Sequence, residues 1–299
     1  MLGVPMWLTI AVGFGYRKVH MDDMATPVLS IWEAFVYGLI QGVTEFLPVS
    51  SSGHLALAHQ FGLGNLPKES ELPFDVMLHA STLIAIAVAF RKEILAALTW
   101  RPKFYVCVLI SIVPAGIFGL VGKRFVEAAG DSWWVLGACY VFTAVLLTVA
   151  ERISMKRVAV EAEAKPVHES LDQVSYKQAM IVGGVHVLAL FPGVSRSGST
   201  IAGGLLGGMR PAMAVSYSFL VGLPLIVAAA GKDALGGGWG MLVEQVGLVP
   251  LLVAFSTALV AGLGSIVALK LVVGKRRLVW FGAYCGLVGL VCIWQALSQ

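Results

Sequence analysis

The sequence has few charged residues, and this lack decides the class of protein. Asp, Glu, Lys and Arg make up 13% of its 299 residues, against roughly 25% in soluble domains. Hydrophobic residues make up 58%, and the mean hydropathy is +0.85. Such a chain has too few polar side chains to cover a surface in water. We therefore predict an all-α polytopic membrane protein, with the lipid bilayer and not nucleic acid as its partner.

Motifs that would indicate a metal centre or a nucleotide site are also missing. The four cysteines lie singly in apolar runs without metal-ligand spacing, and we interpret them as small buried side chains. The GKS/T signature of a nucleotide-binding P-loop does not occur. The first residues lack the basic front of a signal peptide. We predict an N-terminal extension of unknown role at 1–24 and a single integral membrane domain at 25–299.

Six apolar runs are long enough, or nearly so, to cross about 30 Å of hydrocarbon. They cover roughly 74–90, 104–121, 133–150, 214–230, 246–270 and 279–297. Two further regions, 30–63 and 179–209, begin as apolar helices, break, pass a Ser/Gly cluster and resume as short helices. This pattern predicts two re-entrant helical hairpins whose tips lie at membrane depth.

Basic residues are distributed unequally between the two sides that these spans define. If each hairpin returns to its own side, fourteen of the 21 Lys and Arg residues fall on one side and six on the other, with Arg196 in the second tip. The positive-inside rule makes the richer side cytoplasmic. The hairpins then enter from opposite sides, which predicts an inverted-topology repeat of about 28–150 and 178–297, joined by a cytoplasmic linker at 152–177.

The two predicted breaks, 48–53 and 192–198, carry most of the polar residues of these regions. Val-Ser-x-Ser-Gly recurs at an offset of 145 residues, as VSSSGH and VSRSGS. Hydroxyls and flexible backbone before a helix expose donors at its N-terminus, which is typical of an anion site. Ordinary N-capping by serine is the alternative. The candidate phosphate-binding residues are Ser50, Ser52, Ser195, Ser197 and Thr200.

Ionisable side chains accompany these hydroxyls. A carboxylate at membrane depth is a functional candidate by default, which selects Glu45, and Gln41 shares its helix face. His54 could act as a nucleophile or as a general acid or base. The guanidinium of Arg196 matches phosphate oxygens; alternatively, it only pairs with Glu45 and locks the hairpins together. We expect a structural role for His79, although it could border the same cavity.

The segments QGVTEFLPVSSSGH (41–54) and PGVSRSGST (192–200) resemble the undecaprenyl-diphosphatase family, the bacitracin-resistance proteins of bacterial inner membranes. The resemblance covers about residues 28–297. It implies hydrolysis of undecaprenyl diphosphate to undecaprenyl phosphate and inorganic phosphate, which recycles the lipid carrier of peptidoglycan synthesis. It implies Glu45, His54 and Arg196 as the essential residues, with Ser51 as a further catalytic candidate.

The resemblance also implies a divalent cation, Mg²⁺ or Ca²⁺, and we expect Glu45 and Gln41 to orient it. It implies a homodimer and an active site that opens to the outer, periplasmic face. Whether His54, Ser51 or water attacks phosphorus stays open. A rival function is a flippase that returns undecaprenyl phosphate to the cytoplasmic leaflet, since inverted repeats with broken helices are typical of transporters. A third is a phosphatase of broader lipid-diphosphate specificity.

Overall fold

The computed structural model describes residues 28–99, 101–161, 171–275 and 277–298, and the extension predicted at 1–24 lies outside them. The described residues form helices and connections without a strand, which confirms the all-α prediction. The helices are α1 (Ile31–Phe46), α2 (Ser51–Gln60), α3 (Lys68–Ala89), α4 (Arg91–Leu98), α5 (Pro102–Val121), α6 (Lys123–Gly130), α7 (Trp133–Glu161), α8 (Tyr176–Leu188), α9 (Arg196–Leu206), α10 (Pro211–Leu235), α11 (Gly238–Val246), α12 (Leu248–Gly274) and α13 (Leu278–Leu297).

Six of these helices are long and apolar enough to cross a membrane: α3, α5, α7, α10, α12 and α13. They correspond to the six predicted spans, so the polytopic fold is confirmed. Several extend beyond the predicted runs, because helix continues into polar sequence that apolar run length does not detect. The clearest case is α7, which stays helical to Glu161 inside the predicted linker at 152–177. Residues such as Glu, Arg, Met, Lys and Ala, common in that stretch, favour helix.

The two predicted hairpins are helix–break–helix segments that start in the same way. At the start of α1, Ser30 Oγ accepts a hydrogen bond from Glu33 N at 3.2 Å, and Glu33 Oε2 accepts one from Ser30 N at 2.7 Å. At the start of α8, Ser175 and Gln178 form the same capping box at 3.2 and 2.9 Å. These pairs are also 145 residues apart, so the repeat extends from the tips to the first turns of both hairpins.

The breaks are displaced from their predicted bounds. Helix α2 begins at Ser51 and α9 at Arg196, so Gly53 and Gly198 lie inside helices and not in irregular tips. The prediction of breaks at 48–53 and 192–198 is therefore wrong at their C-terminal ends. The physical reason is N-capping: the side chain of the serine before each helix accepts a hydrogen bond from the glycine N–H, at 3.3 Å in α2 and 3.0 Å in α9.

The halves exchange packing partners. Helix α1 packs on α12, and its equivalent α8 packs on α5; α3 packs on α12, and α10 on α5. The equivalent pairs α3–α10 and α7–α13 pack on each other. Two repeats related by a two-fold axis produce this exchange. Each hairpin therefore lies against a spanning helix of the other half.

The connections between the helices lie at two ends of the molecule. Contacts place one set of connections together at an end that we call the Asn65 end. Asn65 N donates to Val28 O at 2.9 Å, so the first hairpin starts and finishes there. Lys68 Nζ lies 2.6 Å from Asp131 Oδ1, which places the connection before α7 at this end too.

The other connections meet at what we call the Asp172 end. Arg101 pairs with Asp172, and Arg157 donates to the carbonyl of Leu206 at 2.9 Å. Lys270 Nζ lies 3.5 Å from Ala89 O. Connections that the charge pattern assigns to one side are therefore together in space. Which end faces outward, and how deep the tips lie in a bilayer, stay predictions.

Candidate active site

The tips of the two hairpins contact each other through backbone groups. Ser50 Oγ accepts a hydrogen bond from Gly193 N at 3.1 Å, and Ser197 Oγ donates to Leu47 O at 3.3 Å. Ser50 has a φ of 71°, a left-handed conformation that costs a non-glycine residue about 1–3 kcal/mol. It persists because its side chain and carbonyl are both bound by neighbours. The junction is thus a fixed structure into which functional side chains project.

Glu45 lies at the centre of this junction, in the last turn of α1, with 6% of its surface exposed. One carboxylate oxygen pairs with the guanidinium of Arg196, across the two hairpins. The other accepts hydrogen bonds from Ser51 Oγ at 2.5 Å and Gln41 Nε2 at 3.1 Å, and lies 3.3 Å from His79 Nε2. A buried carboxylate requires such partners, and here they come from α1, α2, α3 and α9.

Arg196 is the first residue of α9 and not part of an irregular tip as the sequence predicted. Together with Glu45 it borders a cavity of about 10 Å³, whose other polar walls are Ser197, Thr200 and Ser218. That volume holds about one water molecule. A phosphate group can therefore enter only if the Glu45–Arg196 pair opens or neighbouring helices move.

The predicted phosphate-binding hydroxyls divide into two groups. Ser50 and Ser195 are N-caps whose oxygens are occupied by glycine N–H groups, as the capping alternative expects. Ser197 and Thr200 instead line the cavity beside the guanidinium, with Thr200 Oγ1 2.5 Å from Ser218 Oγ. Ser52 is half-buried and lies 3.5 Å from the Ser50 hydroxyl. The cavity group has the better access to a bound anion.

His54 belongs to a second cluster. Its Nδ1 lies 2.7 Å from Ser50 O and 2.9 Å from the hydroxyl of Tyr140, and its Nε2 lies 2.7 Å from the hydroxyl of Tyr284. In the described part of the chain, His54 has no hydrogen bond to Glu45 and none to Arg196. Its connection to them runs through α2, where Ser51 precedes it by three residues on a neighbouring position of the helix surface.

Three side chains of the site were not predicted as functional. His79 reaches Glu45 from α3, where the only sequence signal is an imidazole in an apolar run. Tyr140 on α7 and Tyr284 on α13 reach His54 from 86 and 230 residues away. No spacing in the sequence indicates those contacts, because they depend on how distant helices pack, within the first half for Tyr140 and between the halves for Tyr284.

The oxygen atoms of Gln41 and Glu45 are the candidate ligands of the cation that the resemblance implies. Gln41 Oε1 is a buried acceptor that receives no hydrogen bond from the residues the structure describes, and it lies next to the Glu45 carboxylate. Among the described residues, no group of three or more His, Cys, Asp or Glu could hold a metal ion. Mg²⁺ commonly binds through one or two carboxylates together with substrate phosphates and water. The oxygens of Gln41 and Glu45 therefore fit a cation that arrives with a phosphate, not one held by protein ligands alone.

Comparison with known proteins identifies the family. The family described as "Bacitracin resistance protein BacA" matches residues 34–291. An undecaprenyl-diphosphatase from Christiangramia forsetii is 36% identical over 281 residues, covering 91% of this chain and 100% of that protein. Those from Carboxydothermus hydrogenoformans and Bacteroides thetaiotaomicron are 33% and 34% identical, covering 91% and 89% of this chain and 100% and 98% of theirs. The chain belongs to the BacA family of bacitracin resistance proteins.

Proposed function

We propose that this protein hydrolyses undecaprenyl diphosphate to undecaprenyl phosphate and inorganic phosphate, and so recycles a lipid carrier and confers bacitracin resistance. One observation carries the proposal: Glu45, Ser51 and Arg196 meet at the junction of the two hairpins. The chain also matches relatives named undecaprenyl-diphosphatase over nearly all of its length. A base, a hydroxyl and a guanidinium at one point are the components of phosphoryl transfer.

In this proposal Arg196 binds the terminal phosphate by exchanging the Glu45 carboxylate for phosphate oxygens. A guanidinium pairs equally well with either anion, and both pairings use the same fork of N–H groups. The cavity hydroxyls of Ser197 and Thr200 lie beside that guanidinium and would add donors by turning their O–H groups from the carbonyls of Leu47 and Arg196 to the phosphate. Helices α2 and α9 both begin at the junction, so their N-terminal dipoles favour the same negative charge.

Ser51 is the nucleophile that the geometry favours. Its hydroxyl already donates to Glu45 at 2.5 Å, so the carboxylate is placed to take the proton. The Ser51 oxygen would form a bond to the terminal phosphorus while the bond to the bridging oxygen breaks. Undecaprenyl phosphate then leaves. Departure of Arg196 to the phosphate removes a positive charge from Glu45, which makes the carboxylate a better base at that moment.

Hydrolysis of the resulting phosphoserine needs a water molecule and a group that accepts its proton. We assign that role to His54, which lies one turn from Ser51 on α2. The water oxygen bonds to phosphorus as His54 takes its proton, the bond to Ser51 breaks, and the serine oxygen takes back the proton that Glu45 accepted, so inorganic phosphate is released with the serine hydroxyl restored.

Further features of the proposal come from the family resemblance. The cation, Mg²⁺ or Ca²⁺, would be held by Gln41 Oε1 and Glu45 and would offset negative charge on the diphosphate. We place the protein in the bacterial inner membrane, with the active site open to the periplasmic face, as a homodimer. The dimer is checked by light scattering of the protein in detergent, where the mass of one chain would contradict it.

Phosphate release from undecaprenyl diphosphate by the purified protein, in detergent and without any gradient, tests the function. We expect turnover in the wild type and at least a hundredfold loss in Ser51→Ala and Glu45→Gln. Ser265→Ala, which removes a buried hydroxyl that donates to the carbonyl of Ala261 on α12, should retain turnover. A different result would indicate the flippase: the wild type and the variants bind undecaprenyl phosphate, but none of them releases phosphate from undecaprenyl diphosphate.

Two additions to the same assay decide the finer points. A panel of diphosphate lipids of different tail length separates an enzyme specific for undecaprenyl diphosphate from a broader lipid diphosphatase. Adding a chelator should abolish release if the cation is required, and returning Mg²⁺ or Ca²⁺ should restore it. Turnover that is unaffected by chelator would remove the cation from the proposal.

A further inference from the structure

The hydrogen bonds around His54 determine where its proton lies. Nδ1 is 2.7 Å from Ser50 O, and a carbonyl oxygen can only accept, so Nδ1 carries the hydrogen. The hydroxyl of Tyr140 lies 2.9 Å from the same nitrogen and shares that N–H. In the neutral ring, Nε2 then has a free lone pair. None of the hydrogen bonds that the described residues make to His54 comes from a carboxylate that would stabilise a charged ring.

Tyr284 donates a hydrogen bond to that lone pair. Its hydroxyl is 2.7 Å from Nε2 and is therefore the donor, and its ring stacks on the imidazole with a centroid separation of 5.7 Å and an interplanar angle of 3°. The phenol is 43% exposed, so the contact is not simply a product of dense packing. His54 is held at both nitrogens, by the backbone of the first tip on one side and by α13 on the other.

Tyr140 and Tyr284 are carried by two closely packed helices, α7 and α13. Tyr140 is fully buried on α7, and its ring meets the imidazole edge-on at 5.6 Å. Helices α7 and α13 approach closely through glycines: a Cβ added to Gly289 would lie 2.9 Å from Gly137 O, and one added to Gly282 would lie 3.0 Å from Ala144 O. Close helix packing of this kind fixes the positions from which both hydroxyls reach His54.

We propose that Tyr284 is a positioning residue for His54: its hydroxyl, together with Ser50 O, fixes the tautomer and the plane of the imidazole and holds Nε2 as a hydrogen-bond acceptor. Its effect on turnover rests on the proposed function. The phenol acts before the reaction: the reacting water takes its place at Nε2 of a ring that is already aimed. A ring anchored at one nitrogen only can pivot about that anchor, so its lone pair is aimed less well.

The test compares Tyr284→Phe with Tyr176→Phe, a matched loss of a hydroxyl from a tyrosine that is 49% exposed on α8. The first readout is the rate at which diethyl pyrocarbonate carbethoxylates His54, followed by mass spectrometry in the absence of lipid substrate. The second is kcat and KM for undecaprenyl diphosphate. Phenylalanine keeps the aromatic ring of each tyrosine, so both variants should fold.

We expect His54 in Tyr284→Phe to react at least threefold faster, because Nε2 has lost its donor. We expect kcat to fall about fivefold, the effect of one neutral hydrogen bond, with KM within twofold of wild type since Arg196 is untouched. A carbethoxylation rate or a kcat equal to that of Tyr176→Phe overturns the proposal. If the wild type releases no phosphate, the proposed function fails, and the carbethoxylation rate alone decides the role of Tyr284.

Discussion

At the scale of single residues, the Glu45–Arg196 pair combines two functions that the sequence presents as alternatives. The pair locks the hairpins, since it joins α1 to α9, and each partner is also a candidate for catalysis. Glu45 is almost completely buried in it, whereas 26% of the Arg196 side chain is exposed. The guanidinium is therefore the partner that can reach another anion, while Ser51, Gln41 and His79 stay on the Glu45 carboxylate. This asymmetry gives a specific expectation for Arg196.

Replacing Arg196 by lysine keeps the charge but removes the planar fork of donors. We expect kcat/KM for phosphate release to fall about 10- to 100-fold, the equivalent of roughly 1–3 kcal/mol for lost charge-assisted hydrogen bonds. The matched control is Arg157→Lys, whose guanidinium donates to the carbonyls of Leu205 and Leu206 away from the junction. Equal losses in both variants would show a general effect of the substitution and contradict phosphate binding by Arg196.

His79 offers a second test at this scale, because its Nδ1 is fixed by Asp75 O at 2.7 Å and its Nε2 faces Glu45. Glutamine can still direct an N–H at the carboxylate, and leucine cannot. We expect phosphate release within about threefold of wild type in His79→Gln and at least tenfold lower in His79→Leu, with the rates measured in detergent. If the leucine variant turned over as fast as the glutamine variant, His79 would be only a packing residue.

At the scale of elements, the two hairpins are the same scaffold used for different chemistry. Their capping boxes, N-capping serines and first-turn glycines coincide at an offset of 145 residues. The reactive positions do not: Ser51 corresponds to Arg196, and Glu45 to Leu190. The repeat therefore supplies two helix N-termini at one junction, and the differences between the copies place the proposed base and nucleophile on the first hairpin and the proposed phosphate ligand on the second.

Close contact between the tips predicts that Gly53 is intolerant of any side chain. A Cβ added there would lie 2.8 Å from Gly193 N and 2.7 Å from the Tyr140 hydroxyl, whereas one added to Gly184 would meet nothing within 4 Å. We expect Gly53→Ala to destabilise the protein by about 1–3 kcal/mol, seen as a lower melting temperature in detergent, and to reduce phosphate release. Gly184→Ala, also within a helix, should be neutral or slightly stabilising.

The pair of variants separates crowding from helix propensity, since alanine favours helix at both positions. A Gly53→Ala protein as stable and active as the Gly184→Ala protein would mean that the tips have room between them. In that case the junction could not be the fixed structure on which the proposed site depends.

At the scale of the whole molecule, the sequence predicted the features that follow from hydrophobicity and charge. Six spans, two broken regions and the grouping of connections by side follow from composition along the chain, and the structure agrees with the spans and with the grouping. The sequence did not predict that Gly53 and Gly198 are helical, because capping geometry decides where a helix starts. The contacts of His54 with Tyr140 in the same half and with Tyr284 in the other half depend on the packing of distant helices, which no local pattern encodes.

Opposite orientation of the two halves is the prediction that remains for the whole molecule, and single cysteines can measure it. The background would be a variant in which Cys107, Cys139, Cys285 and Cys292 are replaced by alanine. Lys68 and Lys232 are exposed residues that the charge pattern places outside, whereas Lys92 and Lys275 are exposed residues that it places inside. We expect a membrane-impermeant maleimide to label cysteines at the first two positions in spheroplasts, and at the other two only after the membrane is opened. Each pair takes one position from each half, and the two positions of a half lie at opposite ends of spans, so labelling at positions 68 and 275 together, or at 92 and 232 together, would exclude inverted repeats. The hairpins would then enter from the same side, which contradicts the grouping of the connections at the two ends of the molecule.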